Sequence, residues 1–462
     1  MRRIWKFLAL AIALTLGMGG AESQAANSLD WHAKQDQVDA NIDNQSLIPV
    51  LKKIARVTGW RVFVEPGAAT SVSVKFKELS QDEALRRLLG KLNYFKYETN
   101  GVTRLLVFRS IRSAATEAVL AEKKDHRIHD EDLVKMKRGA STNSIDELAK
   151  KVGAKITARD DKIGLYKLQF PDGTSADSAL GALASDPSVA GADGNYSYDR
   201  PQPASMTQVP NPAGSMFNIN PQPNANGPII GLVDTSVDPP AQFQPYMLTP
   251  INVTGVTDTP GDDPTHGTGM LETMVEAMAN DPSKILPVDV FGSGESTSDY
   301  EVMEGIVSAI NKGANPINLS LGDTDDSSML GSLIAEAEKD GVYFIAASGN
   351  TPGEGKVYPA DYPGVISVTA SSQVVTGPIT SSANVSGGQG GLASYANDPE
   401  GTDVMAPGTS YVQWNGQTWV VEGTSPATAS TTGTIADLMN QDHMTLPQAI
   451  NQVMKVAPAP GR

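Results

Sequence analysis

The sequence predicts a mostly parallel α/β domain in its C-terminal half, preceded by two small α+β domains. Three observations carry that expectation. From Pro228 onward, short apolar runs alternate with longer segments bearing apolar stripes at helical spacing, the pattern of a parallel sheet covered on both faces. Two earlier blocks, residues 35–112 and 125–200, each switch between an apolar period of two and one of 3.6. Residues 201–227, rich in Pro, Asn, Gln and Gly and nearly free of charge, read as a linker where a domain boundary and a protease-sensitive site belong. A chain of 462 residues has room for about two to four domains.

The N-terminus carries Arg2, Arg3 and Lys6, then an apolar run from Phe7 to Met18, then small residues at Ser23 and Ala25. Residues 1–25 therefore read as a secretory signal peptide cut after about Ala25. The run falls short of the roughly 18 residues that span a bilayer. With no second apolar span and no Cys, the mature chain is expected to be exported, periplasmic or secreted, with neither a transmembrane anchor nor disulfides.

In the block 35–112, "QVDANIDN", "RVFVEP" and "SVSVKFKEL" read as strands and "SLIPVLKKIARVTG" as a helix. Ser80 to Glu83 is a capping box opening a second helix, and Asn100-Gly101 is a hairpin turn. This pattern resembles the short N-terminal domain of secretins and TonB-dependent receptors, which implies an envelope component as a partner. In the block 125–200 the order is strand, helix, strand, helix, strand, with a capping box from Ser144 to Glu147. Nothing in either block carries catalytic chemistry.

Between Gly227 and Asn440 there are 26 Asp and Glu against four Lys and no Arg. So acidic a surface repels phosphates, and nucleic acid is excluded as a partner. In residues 228–440 the strands are "PIIGLVD", "KILPVDV", "PINLSL", "VYFIAAS" and "VISVTA". The helix carrying Met270, Met274 and Met278 has a core-filling stripe. In such a sheet chemistry gathers at the C-terminal ends of the strands. Asp234 ends the first strand, His266 opens "HGTGM" before the Met-striped helix, Asn350 follows "FIAASG", and Ser425 starts the last long helix.

Each has a plainer alternative. Asp234 could cap a turn, His266 could be structural, and Asn350 could sit beside Gly349 in a left-handed turn. Ser425-Pro426 reads as a helix start, with Pro426 at N1 and Ser425 capping the N–H of Ala427 or Thr428. The conjunction outweighs these readings. Only one His lies between Asp234 and Ser425, and the order Asp, His, Ser on an α/β sheet is a known solution for a serine triad.

"GLVDTSVD", "HGTG", "NLSLG", "AASGN", "YPADYPGVISV" and "GTSPATA" together resemble the motifs of subtilisin-type serine proteases, in the family's order. The resemblance covers about 210 residues and implies a subtilisin-like domain over 228–440, with 441–462 as a tail. It implies Ser425 as nucleophile, His266 as general base, Asp234 as its orienting partner and Asn350 as oxyanion donor. It further implies peptide substrates held between Ser320, Leu321, Gly322 and Gly292, Ser293, Gly294. The block 125–200 then looks like an inhibitory propeptide acting in cis, and catalysis needs no cofactor. Structural calcium is common in the family, with Asp323, Asp325 and Asp326 of "GDTDDSS" as candidate ligands; their spacing fits no EF-hand, and a solvated acidic loop is the plainer reading. "DTS" lacks the family's usual third-place Gly, and "TASTTG" replaces its Pro-His segment. The implied function is an exported serine endopeptidase made as a zymogen. The rival is an envelope binding or assembly protein whose protease-like domain is inactive or cuts only itself.

Overall fold

The two-residue period of "QVDANIDN" becomes a strand whose Val38, Ala40 and Ile42 all face one core. It belongs to the first of two units, residues 1–97 with 103–122, the second being 98–102 with 123–462. The computed structural model describes residues 28–460 except 33–36, 59, 69–70, 100–101, 116, 120–125, 211–223, 225, 259–260, 279–281, 380–390 and 399. The signal-peptide segment and the Asn100-Gly101 turn lie outside the described residues.

In the first unit the elements are β1 (Ser28–His32), β2 (Gln37–Ser46), α1 (Leu47–Thr58), β3 (Arg61–Val64), β4 (Ser71–Leu79), α2 (Gln81–Leu89), β5 (Asn93–Thr99), β6 (Val102–Phe108) and β7 (Glu117–Val119). They form sheets β1-β2-β4 and β5-β6-β3-β7. Leu47, Leu51 and Ile54 of α1 and Leu85 of α2 bury their apolar stripes in one core with both sheets. Ser80 caps α2, its hydroxyl accepting from the Glu83 N–H.

The second unit continues with β8 (Arg127–Met136), α3 (Thr142–Val152), β9 (Lys155–Asp160), β10 (Leu165–Gln169), α4 (Gly173–Ala184), β11 (Val189–Asp199) and β12 (Ser205–Val209). Next come β13 (Ile229–Asp234), β14 (Ile251–Asn252), α5 (His266–Ala277), β15 (Lys284–Asp289), β16 (Ser296–Ser298), α6 (Asp299–Asn311), β17 (Ala314–Leu319), α7 (Ser328–Lys339), β18 (Phe344–Ala347) and β19 (Ile366–Val374). The chain closes with β20 (Val404–Trp414), β21 (Gln417–Glu422), α8 (Thr424–Gln441) and α9 (Leu446–Val456). The large sheet runs β12-β21-β20-β19-β18-β17-β13-β15-β14, parallel from β20 to β14. The smaller sheet runs β16-β11-β8-β10-β9, so β16 joins the α+β domain to the α/β domain. Leu133, Leu165 and Tyr198 accordingly share a core with Val290, Met303 and Met329.

Four expectations change. The cap of α3 is Ser141, which accepts from the Asn143 N–H, so the helix starts before the capping box expected at Ser144. Within the expected linker, Ser205–Val209 is a strand, because β21 offers it an open edge. The β20–β21 hairpin was not anticipated, although Asn415 and Gly416 both take the positive φ that an Asn-Gly hairpin turn needs. The expected tail contains α9, whose Leu446, Ile450 and Val453 pack in one core with Ile345, Val404 and Ile435. The "TASTTG" departure also has a reason. A Cβ at Gly433 would lie 2.5 Å from the Met274 carbonyl oxygen, so glycine there lets α8 press against α5. The buried threonines of α8 satisfy their hydroxyls on carbonyls one turn back, as Thr428 does on Thr424.

The second unit also buries carboxyl groups whose ionisation the interior disfavours. Burial raises Asp132 to about 6, Asp299 and Glu304 to about 7, and Glu276 to about 8, with Glu272 well above its ordinary range. Their folded pKa values lie above their unfolded ones, so their stabilisation is complete below about pH 4 and is lost as pH rises through 6 to 8. Thermal unfolding of the Ser425→Ala chain is therefore expected at a lower temperature at pH 8 than at pH 5.5, and Glu276→Gln should flatten that slope. A midpoint that rises over this range would contradict the assignment.

Candidate active site

Asp234 is the last residue of β13 and His266 the first of α5. A Cβ on Gly267 would lie 2.5 Å from the Thr235 carbonyl oxygen, so only glycine lets α5 begin this close to the end of β13. Thr265 caps the helix and donates to the Ser236 carbonyl at 2.6 Å, fixing the approach. His266 Nδ1 thereby sits 2.8 and 2.9 Å from the two carboxylate oxygens of Asp234. The Asp234 side chain is fully buried and that of His266 is 3% exposed. A carboxylate only accepts, so Nδ1 carries the proton, and in the neutral ring Nε2 keeps the lone pair. Nε2 is buried and has no partner.

Ser425 is the second residue of α8 and is 4% exposed. The helix is capped by Gly423, not by Ser425, which corrects the cap reading. The reason lies across the cleft, where Asn350 Oδ1 accepts from the Thr424 N–H at 2.8 Å and its hydroxyl at 3.0 Å. One of the helix's orphan donors is satisfied from outside, and the Ser425 hydroxyl is released from capping. Its Oγ donates instead to the Ser320 carbonyl at 3.2 Å, while Ser320 Oγ donates to the Ser425 carbonyl at 3.3 Å. No hydrogen bond joins Ser425 to His266 in this rotamer.

With its oxygen turned to Thr424, Asn350 points Nδ2 into the cleft, and that group donates to the Gln202 carbonyl at 3.3 Å. The chain's own segment crosses the site. Before it, Ser197, Tyr198 and Asp199 pair with β16, and the Arg200 N–H donates to the Glu295 carbonyl at 2.7 Å. After it, the Ala204 N–H donates to the Glu422 carbonyl at 2.7 Å and β12 pairs with β21. Of the expected substrate wall, Gly292 and Gly294 turn their carbonyls to the Arg200 guanidinium at 3.0 and 2.9 Å, while Ser293 is exposed. On the other wall Ser320 is engaged by Ser425, Leu321 is in the core, and Gly322 packs on Val357 and Tyr358.

The acidic loop holds an imidazole. Asp323 and Asp325 both pair with Nδ1 of His126, a 95% buried side chain from the α+β domain, the second at 3.1 Å. The ligand atoms of His126, Asp323 and Asp325 all lie within 4.8 Å of one another, one nitrogen with two carboxylates, and the contact they make is a histidine clasp between domains. Asp326 acts on Tyr358 instead. Sequence reasoning missed Thr424, Thr235, Arg200 and Asp258. Only the Thr of "GTS" and of "DTS" lay inside motifs, and the other two depend on tertiary approach.

The model of the subtilase family fits residues 225–457, half of the chain. The chain belongs to the subtilase family. Ahead of the matched region, residues 113–195 of this subtilase fit the fervidolysin N-terminal prodomain. It is 34% identical over 151 residues to a thermostable alkaline protease of Halalkalibacterium halodurans, covering 32% of this chain and 37% of that one. To Subtilisin Savinase of Lederbergia lenta it is 30% identical over 197 residues, covering 39% and 67%. The chain spans about half the length of the curated relatives it matches. Its fold is that of fervidolysin from Fervidobacterium pennivorans, a keratinolytic enzyme related to subtilisin, with a TM-score of 0.53 and 20% identity over 69% of this chain and 55% of that one.

Proposed function

We propose that this subtilase is an exported serine endopeptidase made as a zymogen, with residues 125–200 as its inhibitory prodomain. The observation that carries the reading is the convergence of Asp234, His266, Ser425 and Asn350 at one end of the parallel sheet, with a peptide carbonyl already held by Asn350. Ser425 Oγ turns from the Ser320 carbonyl toward His266 Nε2, which takes its proton as Oγ adds to the substrate carbonyl carbon. Asp234 holds the ring with Nδ1 protonated and stabilises the imidazolium that forms. Asn350 Nδ2 donates to the developing oxyanion, joined by the Ser425 N–H, which has no partner within a helix at that position. The collapsing intermediate expels the amine, which receives the proton from His266, and water then releases the acyl group by the same steps.

The substrates are polypeptides, and no cofactor takes part in these steps. We assign residues 35–112, with their secretin-like pattern, to binding an envelope component. Intact masses of the wild-type chain and of Ser425→Ala, followed over hours, test the central reading. Wild type is expected to shed a prodomain fragment while Ser425→Ala stays whole. Equal behaviour of the two, together with no Ser425-dependent cleavage of the Pro203→Ala chain or of a peptide added in trans, would sink it. Asn350→Ala should lower kcat by about 10²- to 10³-fold with little change in KM, the size found for this donor in subtilisin itself.

A further inference from the structure

The segment in the cleft carries a side chain whose placement the triad does not need. Arg200 precedes by two residues the carbonyl that Asn350 holds, and its guanidinium is only 16% exposed. It pairs with the Asp258 carboxylate through Nη2 and donates through Nη1 to the Gly292 and Gly294 carbonyls. Every acceptor around it is negative or negatively polarised, and together they match the planar donor fork of an arginine. The pocket is supported from behind. Ser236 Oγ donates to Asp258 at 3.3 Å, and the Asp289 carboxylate accepts from the Phe291 and Gly292 N–H groups at 3.0 and 2.8 Å, holding the turn that presents the carbonyls. Ser236 is the third residue of "DTS", where the sequence departs from its family's glycine, so that departure supplies a hydroxyl to this pocket.

The register of the segment is fixed from both sides. Upstream, the Arg200 N–H is bound to Glu295; downstream, the Ala204 N–H is bound to Glu422, two residues before the turn into α8. Gln202 is thereby the acyl residue addressed by the site, and Pro203 is the leaving residue. Proline carries ring Cδ where another residue has its amide hydrogen. The nitrogen that His266 must protonate is crowded, and the resident segment, its carbonyl held by Asn350, is a poor substrate.

Resting on the endopeptidase reading above, we infer that the cleft selects a basic residue two positions before the residue whose carbonyl is attacked, through Asp258 and the carbonyls of Gly292 and Gly294. The chain's own Arg200 is the resident occupant of that subsite.

The full chain serves as its own reporter once the leaving residue is changed. In Pro203→Ala, cleavage after Gln202 is expected to be at least tenfold faster than in wild type, read by intact mass and N-terminal sequencing. Adding Arg200→Glu should slow that cut tenfold or more, Arg200→Lys should keep it within about threefold, and Arg200→Glu with Asp258→Lys should restore most of the rate. Thermal midpoints of the same chains separate a lost contact from a lost fold. A cut in Pro203→Ala that falls at another bond overturns the register. A cut after Gln202 that ignores the charge at residue 200, or is not rescued by the reversed pair, overturns the basic subsite and leaves the endopeptidase standing. If neither Pro203→Ala nor a peptide added in trans is cut in a Ser425-dependent way, the endopeptidase reading itself fails.

Discussion

Ser425→Ala will leave the chain folded and uncut, with peptide hydrolysis reduced by about 10⁶-fold; that size is the one known for the nucleophile of subtilisin and is carried over from it. The fold should tolerate the change, because the hydroxyl makes a single donation, to the Ser320 carbonyl, and the cap of α8 is supplied by Gly423 and Asn350. Losing one such hydrogen bond costs about 1 kcal/mol, a few degrees at most in thermal midpoint. Activity should fall together with self-processing, since both need the same Oγ. Intact mass, peptide hydrolysis and a thermal scan on one preparation decide the matter. A variant that unfolds, or that still sheds its prodomain at the wild-type rate, would return Ser425 to a purely structural role.

Asp234→Asn is expected to lower kcat by about 10⁴-fold at neutral pH, as the same change does in other serine triads. Its cause is the proton on Nδ1. Asp234 places two acceptor oxygens within 2.9 Å of Nδ1, and Oδ1 also accepts from the Thr235 N–H at 2.6 Å. The Thr235 N–H will hold the amide oxygen of an asparagine, which turns its NH₂ toward the imidazole. Nδ1 must then accept, the proton moves to Nε2, and no base faces Ser425. KM should change little, because Asp234 is fully buried and does not reach the cleft. Nitrogen NMR of the His266 ring gives a readout independent of activity: Nδ1–H in wild type, Nε2–H in the variant. An unchanged tautomer with an unchanged rate would remove Asp234 from the mechanism.

Most of the catalytic domain was legible because buried parallel strands are written as short apolar runs and helices as stripes, and neither signal depends on distant partners. The strands ending at Asp234, Leu319 and Ala347 and the helix opening at His266 were placed within a few residues. The β20–β21 hairpin is marked in the sequence only by its Asn-Gly turn, since the strands on either side mix Gln, Thr and Trp without clean alternation. The strand at Ser205–Val209 could not be read at all. Its residues become a strand only because β21 presents an unpaired edge beside them.

The same division holds at the site. The sequence by itself determined which groups could do the chemistry, because an Asp at a strand end, a lone His in a Gly-rich helix start, an Asn after a strand and a Ser before Pro are local patterns. It also determined the acidity of the domain, a sum over composition. Only the tertiary structure decided that Ser425 is not a helix cap, that Asp323 and Asp325 clasp a histidine from the preceding domain, and that the supposed linker lies in the cleft with Arg200 against Asp258. Each of these joins residues dozens to hundreds of positions apart. Charges and hydrogen-bond donors act over a few ångströms of space, whatever their separation along the chain.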